Sequence, residues 1–347
     1  MNSLTIRQPD DWHVHLRDGP MLGAVLDATA RDFARAIVMP NLKPPVTTTA
    51  AAEAYRARIR GQLARNRAFT PLMACYLTDT VSPDDLADGH ARGVLTAVKL
   101  YPAGATTNSD AGVTDLRKVY SVLERLQRIG MPLLVHGESV DPTVDIFDRE
   151  AVFIERQLIP LRRDFPALKI VFEHLTSRDG VDYLLGAEGH VAATLTPHHL
   201  MINRNAMFDR GIRPHMYCLP VAKREAHRLA LRAAAVSGNP RFFLGTDSAP
   251  HLRQLKEHEC GCAGMFNAPT ALACYAQVFD EEGRLDRLED FASRFGAEFY
   301  GLPLNTGTVT LVREPDDTGL DWPTPDGAVH PFHPPGGLAW RVRRPAA

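Results

Sequence analysis

Residues 10–19, DDWHVHLRDG, place two histidines two positions apart, with an arginine and an aspartate directly behind them. Successive side chains of a β-strand point to opposite faces, so His13 and His15 share one face. Such a pair is either a metal clamp or a polar strand end, and residues elsewhere decide between the two. Lys99 lies in TAVKLY, His136 ends PLLVHG, His174 ends KIVFEH and Asp247 ends RFFLGTD. Imidazole and carboxylate donors of this kind suit a borderline dication such as zinc. A lone strand-end histidine reads as a hydrogen-bonded polar residue. Four histidines, an aspartate and a strand lysine at corresponding ends point to a metal centre. A protonated lysine has no lone pair, and taken alone Lys99 reads as a snorkelling residue. Inside a metal cluster, an amine neutralised by burial can instead take up CO2 as a carbamate, whose two oxygens can bridge two metals.

The elements that must position these groups are short aliphatic runs: WHVHL (12–16), RAIVMP (35–40), PLMACYL (71–77), TAVKLY (96–101), PLLVHG (132–137), KIVFEH (169–174), HVAATLT (190–196) and RFFLGTD (241–247). Many are continuously apolar, as parallel strands buried on both faces require. Helical stretches separate them. Ser82-Pro83 reads as an N-cap followed by a first-turn proline. Thr114 is expected to cap a helix with Leu116, Val119, Leu123 and Leu126 on one face, stopped at Gly130. Segments 144–164, 222–237 and 268–282 also read as helices. The alternation predicts an α/β fold of the (β/α)8 TIM-barrel type, with a doubly wound open sheet as the alternative. In such barrels the active site stands at the C-terminal strand ends, where the candidate ligands fall. No Gly-rich nucleotide fingerprint follows any run. From about residue 302, Pro303, Pro315, Pro323, Pro325, Pro331, Pro334 and Pro335 predict an extended segment wrapping the barrel surface. The whole of 1–347 is expected to form one domain, with the barrel over about 10–300.

The 347 residues are 45% hydrophobic and 23% charged with a formal net charge of −2, which offers no electrostatic footprint for nucleic acid or an anionic membrane. No apolar leader and no run of about 18 apolar residues is present. Five scattered cysteines argue against a disulfide framework and for a reducing cytoplasm. Cys260 and Cys262 lack a second pair at zinc-site spacing, so no structural metal is expected there. His198 and His199 could line the rim but carry no metal role, and Trp12 reads as core.

HVHLRDG, MPNLKPP, VKLYPAGATTNS, VHGE, FEHLT and GTDSAPH, with GCAG at 261–264, together resemble the dihydroorotases, of the bacterial homodimeric type within the amidohydrolase superfamily. The resemblance covers about residues 10–275. H-x-H is common to the superfamily; HxHLRDG together with GTDSAPH and GCAG is more specific. The resemblance implies two zinc ions per subunit. His13, His15 and Asp247 would hold one, His136 and His174 the other, with Lys99 carboxylated and bridging both beside a hydroxide. It implies reversible conversion of N-carbamoyl-aspartate to dihydroorotate in pyrimidine biosynthesis, the hydroxide as nucleophile and Asp247 as general base and acid. The substrate carboxylate would meet Arg17 through its guanidinium fork, with Asn41 and His251 beside it. Backbone groups of Leu219 and Ala263 would read the ring amides, and Thr106 and Thr107 would close a lid over 105–112. A cytoplasmic homodimer is implied as well. Plainer readings stand beside these: a rim salt bridge of Arg17 with Asp18, a turn at Asn41, a loop role for His251, an ordinary surface loop at 105–112. Rival functions are a hydantoinase- or allantoinase-type hydrolase with a different substrate clamp, and a non-catalytic barrel scaffold.

Overall fold

Apolar runs of three to seven residues form the centre of the structure, a computed structural model that describes residues 2–64, 67–315 and 321–343. Strands are numbered in chain order. β1 (Ser3–Arg7) precedes eight strands that pair in parallel in sequence order: β2 (Asp10–Val14), β3 (Arg35–Val38), β4 (Thr70–Tyr76), β5 (Leu95–Leu100), β6 (Leu133–Val135), β7 (Ile170–Phe172), β8 (Val191–Leu195) and β9 (Phe242–Leu244). The ends meet beyond the ladder. Asp247 N donates to His13 O at 2.8 Å and His15 N to Ser248 O at 3.0 Å, with a parallel bridge between Val14 and Ser248. The eight strands therefore close into a barrel, and the open-sheet alternative falls.

Period-2 alternation stacks the barrel interior in layers. Ile37, Ala97, Leu134, Val171 and Phe243 belong to an apolar floor cluster with Trp12, closed from below by Phe295. Two positions further along come Lys99, His136 and Glu173. A register irregularity between Asp11 and Val14 lets neighbouring Trp12 and His13 serve floor and site respectively. Trp12 is core, stacked on Tyr300 with ring centroids 4.5 Å apart.

The helices follow their expected ends with two exceptions. Ser82 Oγ accepts from Asp85 N at 3.3 Å, and Gly130 at φ 71° stops the helix Tyr120–Ile129. Thr114 does not cap that segment. Its hydroxyl donates to Asp79, and Asp115 instead accepts from Arg117 N at 2.9 Å to start the turn Leu116–Val119. The expected helix over 144–164 begins only at Arg149, because Asp145 accepts from Phe147 N at 2.8 Å and holds a local turn. The segments read as 222–237 and 268–282 are the helices Glu225–Ala235 and Ala271–Glu281.

The C-terminal segment is more regular than its prolines suggest. β10 (Thr308–Val312) pairs antiparallel with β1. A hairpin of β11 (Trp322–Thr324) and β12 (Gly327–Val329) follows, and β13 (Arg341–Val342) adds to β10. The N-terminus thus enters a three-stranded sheet that the runs did not indicate.

Candidate active site

The candidate ligands stand where the strands stop. His13 lies in β2 and Lys99 in β5; His15 and His136 follow β2 and β6 by one residue. His174 is the second residue after β7, and Asp247 the third after β9. Among the described residues, five non-glycines adopt a positive φ, and Arg17 (58°), His174 (42°) and Asp247 (46°) are three of them. A conformation costing about 1–3 kcal/mol persists only where neighbours enforce it. His174 N donates to Thr194 Oγ1 at 2.8 Å, and Asp247 is pinned through its N–H to His13 O.

One oxygen of Asp247 lies 3.1 Å from His15 Nε2 and 3.3 Å from His13 Nε2, and these two nitrogens are 3.3 Å apart. A tetrahedral zinc with bonds of about 2.0–2.2 Å spaces its ligand atoms about 3.3–3.6 Å apart, close to this triangle. The donor set fits the metal. A second group brings donor atoms of His174, His13 and Glu173 within 4.8 Å of one another; the buried His174 Nδ1 has no hydrogen-bond partner, and the ring centroid lies 4.7 Å from that of His136 and 5.1 Å from that of His13. His136 Nε2 lies 2.8 Å from Glu138 Oε2. Lys99 is fully buried beneath these groups, paired with the Glu173 carboxylate and 4.8 Å from the Tyr101 ring centre.

Electrostatics match the roles ligands need. Burial pushes His15 down to about 4 and holds His174 well below the usual imidazole range, so both present lone pairs at neutral pH. Burial also works against a proton on His13, but the Glu173 and Asp247 carboxylates outweigh it and raise the group to about 9. A dication at this point would take the place of that proton. Burial lowers the Lys99 amine against the pull of Glu173, the direction carbamate formation requires.

Beside the ligands, a narrow cavity is lined by Arg17, Asn41, Thr106, Thr107, Leu219 and Ala263. His251 is not part of that lining; its Nε2 lies 3.0 Å from Arg17 Nη2. The Arg17 Nε donates to Pro250 O at 3.0 Å, and no carboxylate pairs with the guanidinium among the described residues. The rim salt bridge with Asp18 does not form, because Asp18 pairs with Arg58 at 2.8 Å. Residues 105–112 sit on the cavity rather than free in solvent. Asn41 Nδ2 donates to Thr107 O at 3.0 Å, Asn108 Nδ2 to Asn41 O at 3.1 Å, and Thr107 Oγ1 to Ala263 O at 3.5 Å.

Three residues of the site had no sequence signal of their own. Glu173 and Tyr101 lie two positions from Val171 and Lys99, so only strand parity marks them as inward-facing. Asp11 accepts from His13 N, Thr246 N and Thr246 Oγ1 at 3.1, 2.8 and 2.6 Å, tying β2 to the end of β9. His198 and His199 follow the end of β8 in the short helix Pro197–Met201, buried and outside the cavity lining. His199 is satisfied by Thr196 Oγ1 at 2.7 Å and Pro220 O at 2.9 Å.

Known proteins resemble this arrangement along the whole chain. A sequence profile of the amidohydrolase family matches residues 10–316. A dihydroorotase of Cupriavidus necator is 61% identical over 340 residues, covering 98% of this chain and 99% of that one. The crystal structure of a Campylobacter jejuni dihydroorotase superposes with a TM-score of 0.90 at 33% identity, covering 99% and 98% of the two chains. A Saccharomyces cerevisiae dihydroorotase in complex with 5-fluoroorotic acid gives 0.89 at 32% identity, covering both chains in full. No helix among the described residues is long and apolar enough to cross a membrane. A closed parallel barrel, a histidine–aspartate cluster at its strand ends and full-length similarity at this level agree: the chain belongs to the dihydroorotases of the amidohydrolase family.

Proposed function

We propose that this chain interconverts dihydroorotate and N-carbamoyl-aspartate in pyrimidine biosynthesis. The observation that carries the reading is Arg17, a cation in the cavity wall that no carboxylate pairs with among the described residues, beside a cluster of metal-type donors. A ring that bears a carboxylate satisfies both.

His13, His15 and Asp247 would hold one zinc ion, His136 and His174 a second, and Lys99 as its carbamate would reach both. When bound, the ions polarise the ring carbonyl and bring the pKa of water toward ~7. The chain supplies the rest. Arg17, steadied by Pro250 O and His251, takes the substrate carboxylate through its unused N–H groups. Asn41 joins it from the lid side, where its amide already bonds Thr107. Leu219 and Ala263 offer backbone groups to the ring amides. On ring opening, Asp247 receives the proton of the attacking oxygen and passes it to the leaving nitrogen as the C–N bond breaks; closure runs the same transfer in reverse. Thr106 and Thr107 keep water from the closed cavity.

The same reading makes 1–347 one functional unit, working as a homodimer in the cytoplasm. Metal analysis combined with dihydroorotate ring opening tests the reaction. About two zinc ions per chain with turnover support it. Turnover of hydantoin or allantoin far above dihydroorotate refutes it.

A further inference from the structure

Lys256 carries a charge that the packing does not neutralise. It ends the short helix Arg253–Lys256 and is 4% exposed. Its Nζ donates to three carbonyls, Gly264 O at 2.6 Å, Cys262 O at 2.8 Å and Tyr217 O at 3.0 Å. An ammonium has three donors, and this set uses all of them. No carboxylate pairs with it among the described residues; the titratable or charged groups that interact with it include Cys218, Cys262, Arg17, His198, His215 and His251. Uncompensated burial of this kind costs free energy, and an apolar side chain of similar length would avoid it. Stability is therefore a poor account of a lysine here.

The three carbonyls share a location. Cys262 and Gly264 flank Ala263, and Tyr217 stands two residues before Leu219. Leu219, Ala263 and Gly264 all line the cavity. A trans peptide unit is planar, with C=O and N–H pointing in opposite directions. Fixing Cys262 O thus fixes the heading of the Ala263 N–H, away from Nζ. Gly264 N donates to Tyr217 O at 3.2 Å, so the two stretches are joined directly as well as through the ammonium. Gly264 adopts φ 146°, and a Cβ there would lie 2.8 Å from Ala249 O and 2.9 Å from His251 Cδ2. The loop approaches the His251 segment as closely as bare backbone can.

We propose, on the dihydroorotase reading above, that Lys256 is a positioning residue for the substrate ring. One buried ammonium sets the spacing and heading of the two backbones, at Leu219 and Ala263, that read the ring amides.

The test compares wild-type holoenzyme with Lys256→Met and Lys256→Arg. In Lys256→Met the KM for dihydroorotate is expected to rise about tenfold or more, the scale of lost hydrogen bonds to a charged group, with kcat within about threefold and zinc content unchanged. Lys256→Arg, which retains charge and donors, recovers part of the loss. A folded Lys256→Met with KM within about twofold of wild type overturns the role, as does a joint fall of kcat and zinc content at unchanged KM. Should Lys256→Met fail to fold, Lys256→Gln, which loses the charge and one donor, decides: raised KM with retained kcat supports the role, and unchanged KM overturns it. Wild-type protein that cannot open dihydroorotate overturns the assigned reaction and this role together, whereas an active wild type beside an unaffected Lys256→Met overturns the role alone.

Discussion

Arg17→Met separates substrate selection from metal binding. The guanidinium lies in the cavity wall, bonded among the described residues to Pro250 O and His251, and burial lowers its pKa. A carboxylate about 4 Å from it, at an effective dielectric near 20, gains about 4 kcal/mol. Truncating one partner of a desolvated pair typically costs about 2–5 kcal/mol. At ~1.4 kcal/mol per tenfold, kcat/KM for dihydroorotate falls about 10²–10³-fold. The carboxylate is remote from the breaking C–N bond and is held equally before and during reaction, so the loss falls mainly on KM. In the unliganded protein the substitution removes a partly desolvated cation without breaking an ion pair. The melting temperature is therefore expected to hold, and zinc content to match wild type. Steady-state ring opening, metal analysis and thermal unfolding on the same preparation check all three. Unchanged KM, or zinc lost together with activity, would refute the reasoning and make Arg17 a support of the ligand strand.

Lys99→Ala is expected to be inactive with reduced zinc, and partly restored by short carboxylic acids that replace the carbamate; a fully active variant rules out the bridge. Asp11→Ala leaves two buried N–H groups without their acceptor, at about 1–3 kcal/mol each before relaxation, and the Thr246 hydroxyl with His13 O at 3.2 Å as its remaining acceptor among the described residues. Denaturant unfolding of the zinc-free protein should show a loss of about 3–5 kcal/mol, and a loss below about 1 kcal/mol contradicts the clasp. The Lys256 amine, lowered to about 8 from 10.5, bears its burial penalty in full below pH 8 and sheds it as pH rises toward 10.5. Between these limits, stability of wild type relative to Lys256→Met should rise by about 3 kcal/mol, at ~1.4 kcal/mol per pH unit; a flat difference means the ammonium is not desolvated.

The barrel strands were legible because parallel strands covered on both faces read as unbroken apolar runs, and a polar residue ending such a run stands out. His136, His174 and Asp247 are of this kind. β1 was not legible: Ser3–Arg7 buries only Ile6 fully, and its partner β10 lies some three hundred residues away in the chain. No local pattern reports a pairing of that range. Thr114 and Asp115 are both competent caps, and the choice between them was made by Asp79, a neighbour in space. That Arg17 forms no ion pair with a carboxylate among the described residues was hidden for a similar reason. Asp18 follows it in sequence, yet a strand end that turns into a helix sends that aspartate to Arg58. Glu173 carries no signal beyond strand parity, and the structure pairs it with Lys99.

The seam of the barrel and the proposed metal site are built from the same residues. β2 and β9 come from opposite ends of the barrel sequence and share no regular ladder; a bridge between Val14 and Ser248 and a few hydrogen bonds join them. Asp11 reaches across 235 positions to Thr246, and the His13 carbonyl receives Asp247 N. The least-paired joint of the sheet is thus spanned by His13 and His15 on one side and Asp247 on the other. An ion chelated by all three would hold this joint closed, and its binding energy would count toward folding as well as catalysis. The left-handed backbone at Asp247 has a place in the same account. It turns the carboxylate back across the seam toward two histidines, a geometry held by the bond of Asp247 N to His13 O and one that chelation would stabilise further.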